Sequence, residues 1–108
     1  MLTEAQIADL KAKHGDVWAV ENIKVDGEPV DIVVKRHSKG ELQRALKAMS
    51  DEDRRIGAAR EFCSRVVVFP ELAAWHALCD DVELLPVTVF ANVAQRAAGD
   101  AKTDLRKL

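Results

Sequence analysis

The stretch that most constrains this chain is Cys63-Ser-Arg-Val-Val-Val-Phe-Pro70, followed by Glu71-Leu72. A helical pattern runs into an unbroken apolar end, stops at a proline and restarts. Val66 to Phe69 has the composition of a strand. The pattern upstream instead predicts a helix end running into an apolar connector. Pro70 then fits the first turn of the next helix, where its missing N–H is not needed. Two further apolar stretches follow, so the second half of the chain must hold most of the core.

The flanking helices take their faces from spacing. Ile56, Ala59, Cys63, Val66 and Val67 form one stripe over a helix at 51–67. Ser50 is its expected N-cap, and Asp51, Glu52 and Asp53 fill a first turn where the dipole favours acids. Asp51 with Arg55, and Glu61 with Arg65, are i,i+4 pairs. Leu72, Trp75, His76 and Cys79 recur at i, i+3, i+4, i+7 on the next helix. A last helix spans 82–98 with Pro86 near its start. Leu85, Val89 and Val93 mark its apolar side, and Thr88, Asn92 and Gln95 its polar side.

The first half is punctuated more openly. Thr3 and Gln6 make a capping box, and Gly15 is a natural stop for a helix at 3–14. Apolar runs at 17–25 and 29–36 flank Asp26-Gly27, the signature of a type I′ hairpin. A lone hairpin is marginal in water. It must therefore lie on the helices or pair with another chain, and Val30 and Ile32 on its second strand are candidate partner contacts. Ser38 with Glu41 makes a second capping box, and Leu42, Ala45, Leu46 and Met49 form the stripe of the helix behind it.

The expected fold is therefore α+β: a predominantly helical domain of about five helices with one N-terminal β-hairpin, spanning residues 1–99. Residues 100–108 read as a charged, frayed tail. A length of 108 residues suits one domain that buries roughly two-thirds of its unfolded surface.

Chemistry is hard to find in these residues. Aromatics are 5% of the chain and net charge is −2, which argues against nucleic acid. No apolar run reaches the ~18 residues a membrane span needs, and no secretory signal opens the chain, so a cytoplasmic protein is expected. Cys63, His76 and Cys79 are the one metal-like set; a closed zinc site would need a fourth ligand. The simpler reading is two core thiols, with a Cys63–Cys79 disulfide as the other. A Cys/His nucleophile pair would need a lowered thiol pKa, which an apolar stripe does not favour. There is no glycine-rich phosphate loop and no nucleophile elbow. The expectation is no enzyme, no cofactor and no metal. The basic run Lys35-Arg-His-Ser-Lys39 reads as a solvated loop. A helix-turn-helix formed by the helices either side of Pro70 lacks a basic recognition face.

In layout, residues 3–99 resemble the tail assembly chaperones of long-tailed bacteriophages and prophages. The opening Leu2-Thr-Glu-Ala-Gln-Ile-Ala-Asp-Leu-Lys-Ala-Lys-His-Gly15, the hairpin and the entry Lys35-Arg-His-Ser-Lys-Gly-Glu-Leu42 carry the first part of the likeness. The apolar run into Phe69-Pro70-Glu71-Leu72 and the closing helix Val87-Thr-Val-Phe-Ala-Asn-Val93 carry the rest. The resemblance implies a protein that holds the tape-measure protein soluble while tail-tube subunits assemble, then leaves. It also implies self-association and, commonly, a frameshift-extended form. An exposed Phe69, Leu72 or Trp75 would make the helix junction the client site. The competing readings are a homo-oligomeric adaptor or regulator, and a DNA-binding regulator.

Overall fold

The structure is a computed structural model describing residues 2–99 and 104–108. It is an α+β fold with five α-helices among the described residues. A four-stranded antiparallel sheet has a thick helical layer on one face and a single helix on the other.

The sheet begins with β1 (Val17–Val20) and β4 (Ile32–Lys35), paired from Val17 opposite Lys35 to Val20 opposite Ile32. All four β1 residues are buried. Trp18 and Val20, with Ile32 and Val34, join the main core, while Val17 and Val33 face the other side. Both faces are covered, so the strands read as continuous apolar runs rather than alternating ones.

The predicted hairpin is present but interrupted. After Val20 the backbone leaves the ladder, and Asn22 takes a φ of 64°, which a straight strand cannot accommodate but asparagine tolerates. The chain then pairs again as a small separate ribbon, β2 (Lys24–Val25) with β3 (Glu28–Pro29). Asp26 and Gly27 close it with φ of 53° and 80°, both positive as the turn requires. One hydrogen bond, from the Val30 N–H to the Ile23 carbonyl at 3.0 Å, spans the break.

The helix α1 (Glu4–His14) has its capping box: the Gln6 N–H donates to Thr3 Oγ1 at 3.1 Å and the Thr3 N–H to Gln6 Oε1 at 2.9 Å. It docks Leu10 over Val17 and Val33, beside Leu2, Val68 and Phe69. The helix α2 (Lys39–Met49) is capped in the same way by Ser38 and Glu41.

The next helix starts later than its sequence suggests. Asp51, not Ser50, caps a 3₁₀ turn over Glu52–Arg54, and α3 runs only over Arg55–Val66. The Ser50 hydroxyl is turned back to the Lys47 carbonyl at 2.7 Å. Asp51 pairs with Arg54 at 3.8 Å rather than with Arg55, whose Nε donates to the Met49 carbonyl. The Glu61–Arg65 pair is present at 3.0 Å.

The largest correction falls on the Val-Val-Val-Phe run. Val67–Phe69 is a strand, β5, paired antiparallel with β4 (Val34 opposite Val67, Val33 opposite Phe69) around a bulge. Three consecutive β-branched residues have little to gain in a final helical turn and fit a pleated edge. Pro70 follows a cis peptide bond and lies before the next helix, not in its first turn; α4 spans Leu72–Asp81 with Glu71 at the N-cap. Pro86 does sit in the first turn of α5 (Leu85–Ala97).

The second correction is the tail. Leu105–Lys107 forms β6, paired with the free edge of β1, so the sheet order is β5-β4-β1-β6. Residues 100–103 of the expected tail lie outside the described residues. The anchor is Asn92, placed by its spacing on the polar side of α5 but 8% exposed. Its Nδ2 donates to the Thr88 carbonyl at 3.1 Å, and its Oδ1 accepts the Asp104 N–H at 2.9 Å. Arg106 to Glu21 at 2.8 Å and the Leu108 N–H to the Val17 carbonyl at 3.0 Å complete the attachment.

The main core lies between the sheet and α2–α5. Phe62, absent from the predicted α3 stripe, is buried against Phe90 edge-on at 5.2 Å. Trp18 is covered by the Arg96 guanidinium, 3.9 Å above the ring. Replacing Asn92→Ala strands the Asp104 N–H and should destabilise the fold by about 1–3 kcal/mol. Urea titration reads the loss, and hydrogen exchange should quicken first at Leu105–Lys107.

Candidate partner-binding surface

Helix α4 follows β5 directly and is laid across the sheet edge. Two of its stripes are apolar. Trp75 and Cys79 point into the main core. Ala74, Ala77, Leu78 and Asp81, at i, i+3, i+4, i+7, line a groove of about 500 Å³. Its other wall is Pro29, Val30 and Asp31 from the turn into β4, and Phe69 and Pro70 complete it. Seven of these nine residues are apolar and two are acidic.

Two other depressions are less suited to an apolar partner. A cleft of about 150 Å³ between α2 and α3 has alanines and Phe62 inside but charges of both signs around it, from Glu41, Arg44, Glu61 and Arg65. One of about 450 Å³ at the foot of the β2–β3 ribbon mixes Leu2, Ile7 and Ile23 with Glu21, Asn22, Lys24 and Arg106.

Of the residues expected to meet a partner, Phe69 and Val30 lie on the groove. Trp75 and Ile32 do not: each is 0% exposed within the core. Trp75 was a candidate only if exposed, and Ile32 only if the hairpin kept a free face; the layers over both remove the condition. Leu72 is 56% exposed but stands outside the groove. The alanines and Leu78 on α4 were missed, although the signal was available. Leu72-Ala-Ala-Trp-His-Ala-Leu-Cys79 is apolar around more than one face, and a helix of that kind needs more than one neighbour.

The chemistry-bearing residues are engaged elsewhere. Cys63 is buried and its Sγ faces the Pro86 carbonyl at 3.4 Å; burial pushes its thiol pKa far up. Burial also raises the Cys79 thiol, so both stay protonated and unreactive. The cysteines are free. His76 Nδ1 meets the Arg60 guanidinium at 3.1 Å, and Arg60 also pairs with Asp80 at 2.9 Å, tying α3 to α4. Among the described residues no three of His, Cys, Asp and Glu are placed to hold a metal ion.

The basic run is drawn into the structure too. Arg36 pairs with Asp16 at 3.2 Å and lies 5.5 Å from the Trp18 ring. Hydrogen bonding from Arg36 and the charge of Lys107 lower the Asp16 pKa. His37 packs edge-on against Phe62 at 5.7 Å, and its pKa is lowered by burial and by the charges of Arg96 and Arg36. The strand β5 separates α3 from α4, so these two helices do not form a helix-turn-helix. No helix among the described residues is long and apolar enough to cross a membrane.

No family model, curated protein or solved structure matches the chain.

Core and surface roles separate cleanly on α4. Trp75→Ala should cost about 3–5 kcal/mol of stability, because a fully buried indole leaves a cavity. Leu72→Ala should stay within about 0.5 kcal/mol. Denaturant midpoints of the two variants, measured side by side, check the contrast.

Proposed function

We propose that this chain is a reversible client-binding protein of the tail assembly chaperone kind, acting in the bacterial cytoplasm by binding rather than catalysis. Its client is the helical tape-measure protein, held until tail-tube subunits take over. The observation that supports this reading is the second apolar stripe of α4, open on a groove that Val30, Phe69 and Pro70 extend. A groove against one helix face suits an amphipathic helix, which offers anchors at i, i+3 or i+4, and i+7.

The small size of the groove favours the same reading. One helix turn or two can settle in it, so each contact is modest and readily released. Many such contacts along a long client give strong retention through effective concentration. The layout that resembles the chaperone family adds independent support, with its run into Phe69-Pro70 placed at the groove.

Co-expression with a tape-measure segment tests the proposal. The expected result is a soluble complex that Ala77→Glu abolishes, with the variant itself folded as before because Ala77 is an exposed helical position. A segment that stays insoluble at every expression ratio overturns the proposal. Self-association without client binding would move the reading to a homo-oligomeric adaptor.

A further inference from the structure

Resting on the groove as the client site, we infer that it selects a helix carrying a lysine or arginine at one end of its apolar stripe, with Asp81 as the charged contact. The sequence of α4, Leu-Ala-Ala-Trp-His-Ala-Leu-Cys-Asp-Asp, has no Lys or Arg and ends on two acids. The C-terminal end of a helix is its negative pole, so both carboxylates sit where the dipole disfavours them.

Asp80 is answered by Arg60 at 2.9 Å. Asp81 has no ion pair or hydrogen-bond partner among the described residues, and it faces the groove. Among the described residues no basic residue lines the groove. An apolar helix without a cation would strip water from Asp81 and return nothing. A helix with a cation there gains a pair and also opposes the negative end of α4.

The geometry fixes where that cation must be. Asp81 is the last of the four groove residues on α4, about 10 Å along the axis from Ala74 at 1.5 Å per residue. A helix lying alongside would place its apolar anchors at i and at i+3 or i+4 against Ala74, Ala77 and Leu78. Counted from the anchor that faces Ala74, its basic residue would come at i+7, or at i−7 with the second anchor at i−3 or i−4 if it runs the other way. Helices acidic at that position, and helices basic only at mid-stripe, bind more weakly.

Two synthetic helical peptides, alike except for Lys or Gln at i+7, test this against the full chain by fluorescence titration. The Lys peptide should bind about two- to fivefold tighter at low salt, with the advantage shrinking as salt rises. Asp81→Asn should remove the preference, so that the Lys and Gln peptides bind alike, with an unaltered circular dichroism spectrum. Equal binding of both peptides to the wild type, or a preference that survives in Asp81→Asn, overturns the charge selection and leaves the groove as the binding site. Binding of neither peptide overturns both.

Discussion

The pairing of β5 with β4 is the constraint on which the rest of the architecture depends. The chain leaves α3 at Val66 and enters the sheet at Val67 with no loop between. The helical layer is thereby fastened to the sheet edge by backbone hydrogen bonds. The same step sets the start of α4, because Pro70 ends the strand and cannot continue its ladder. Had Val67–Phe69 stayed helical, α4 would have no edge to lie across, and Val30 and Phe69 would not meet its alanine face.

The sheet succeeds because both faces are covered unequally. Trp18, Val20, Ile32 and Val34 take the large core, and Val17 and Val33 take the small one under Leu10. The far edge is closed by β6, whose hold on the body runs through a side chain as well as the ladder. Asn92 on α5 accepts the Asp104 N–H, and a buried amide with both groups engaged is stable there. The outer edge of the sheet then ends on Arg106 and Lys107, charges of the kind that discourage further strand pairing.

Local signals were legible and long-range ones were not. Thr3 with Gln6, Ser38 with Glu41, and Asp26-Gly27 each act within four residues, and each appears in the structure as read. Val67–Phe69 was ambiguous because a short apolar run suits a helix end or a strand, and only its partner β4 decides. Leu105–Lys107 carries too little apolar character to announce a strand; its attachment comes from Asn92, distant in sequence. The groove was half visible. Of the candidate contacts, Phe69 and Val30 lie on it, whereas the orientation of Trp75 and Ile32 stayed open because periodicity shows that a face is apolar and not what covers it. The alanines of α4 offered no bulk to attract notice, and that small size is what leaves the groove open.

The central claim is that the open apolar face of α4 is the docking surface. Amide chemical-shift mapping of the folded chain, titrated with an amphipathic apolar helix, tests it most directly. The largest shifts should fall on Val30, Asp31, Phe69, Ala74, Ala77, Leu78 and Asp81, and leave Glu41, Arg44 and the α2–α3 cleft unmoved. Shifts concentrated on that cleft or on the β6 edge, with the α4 face silent, would contradict the account.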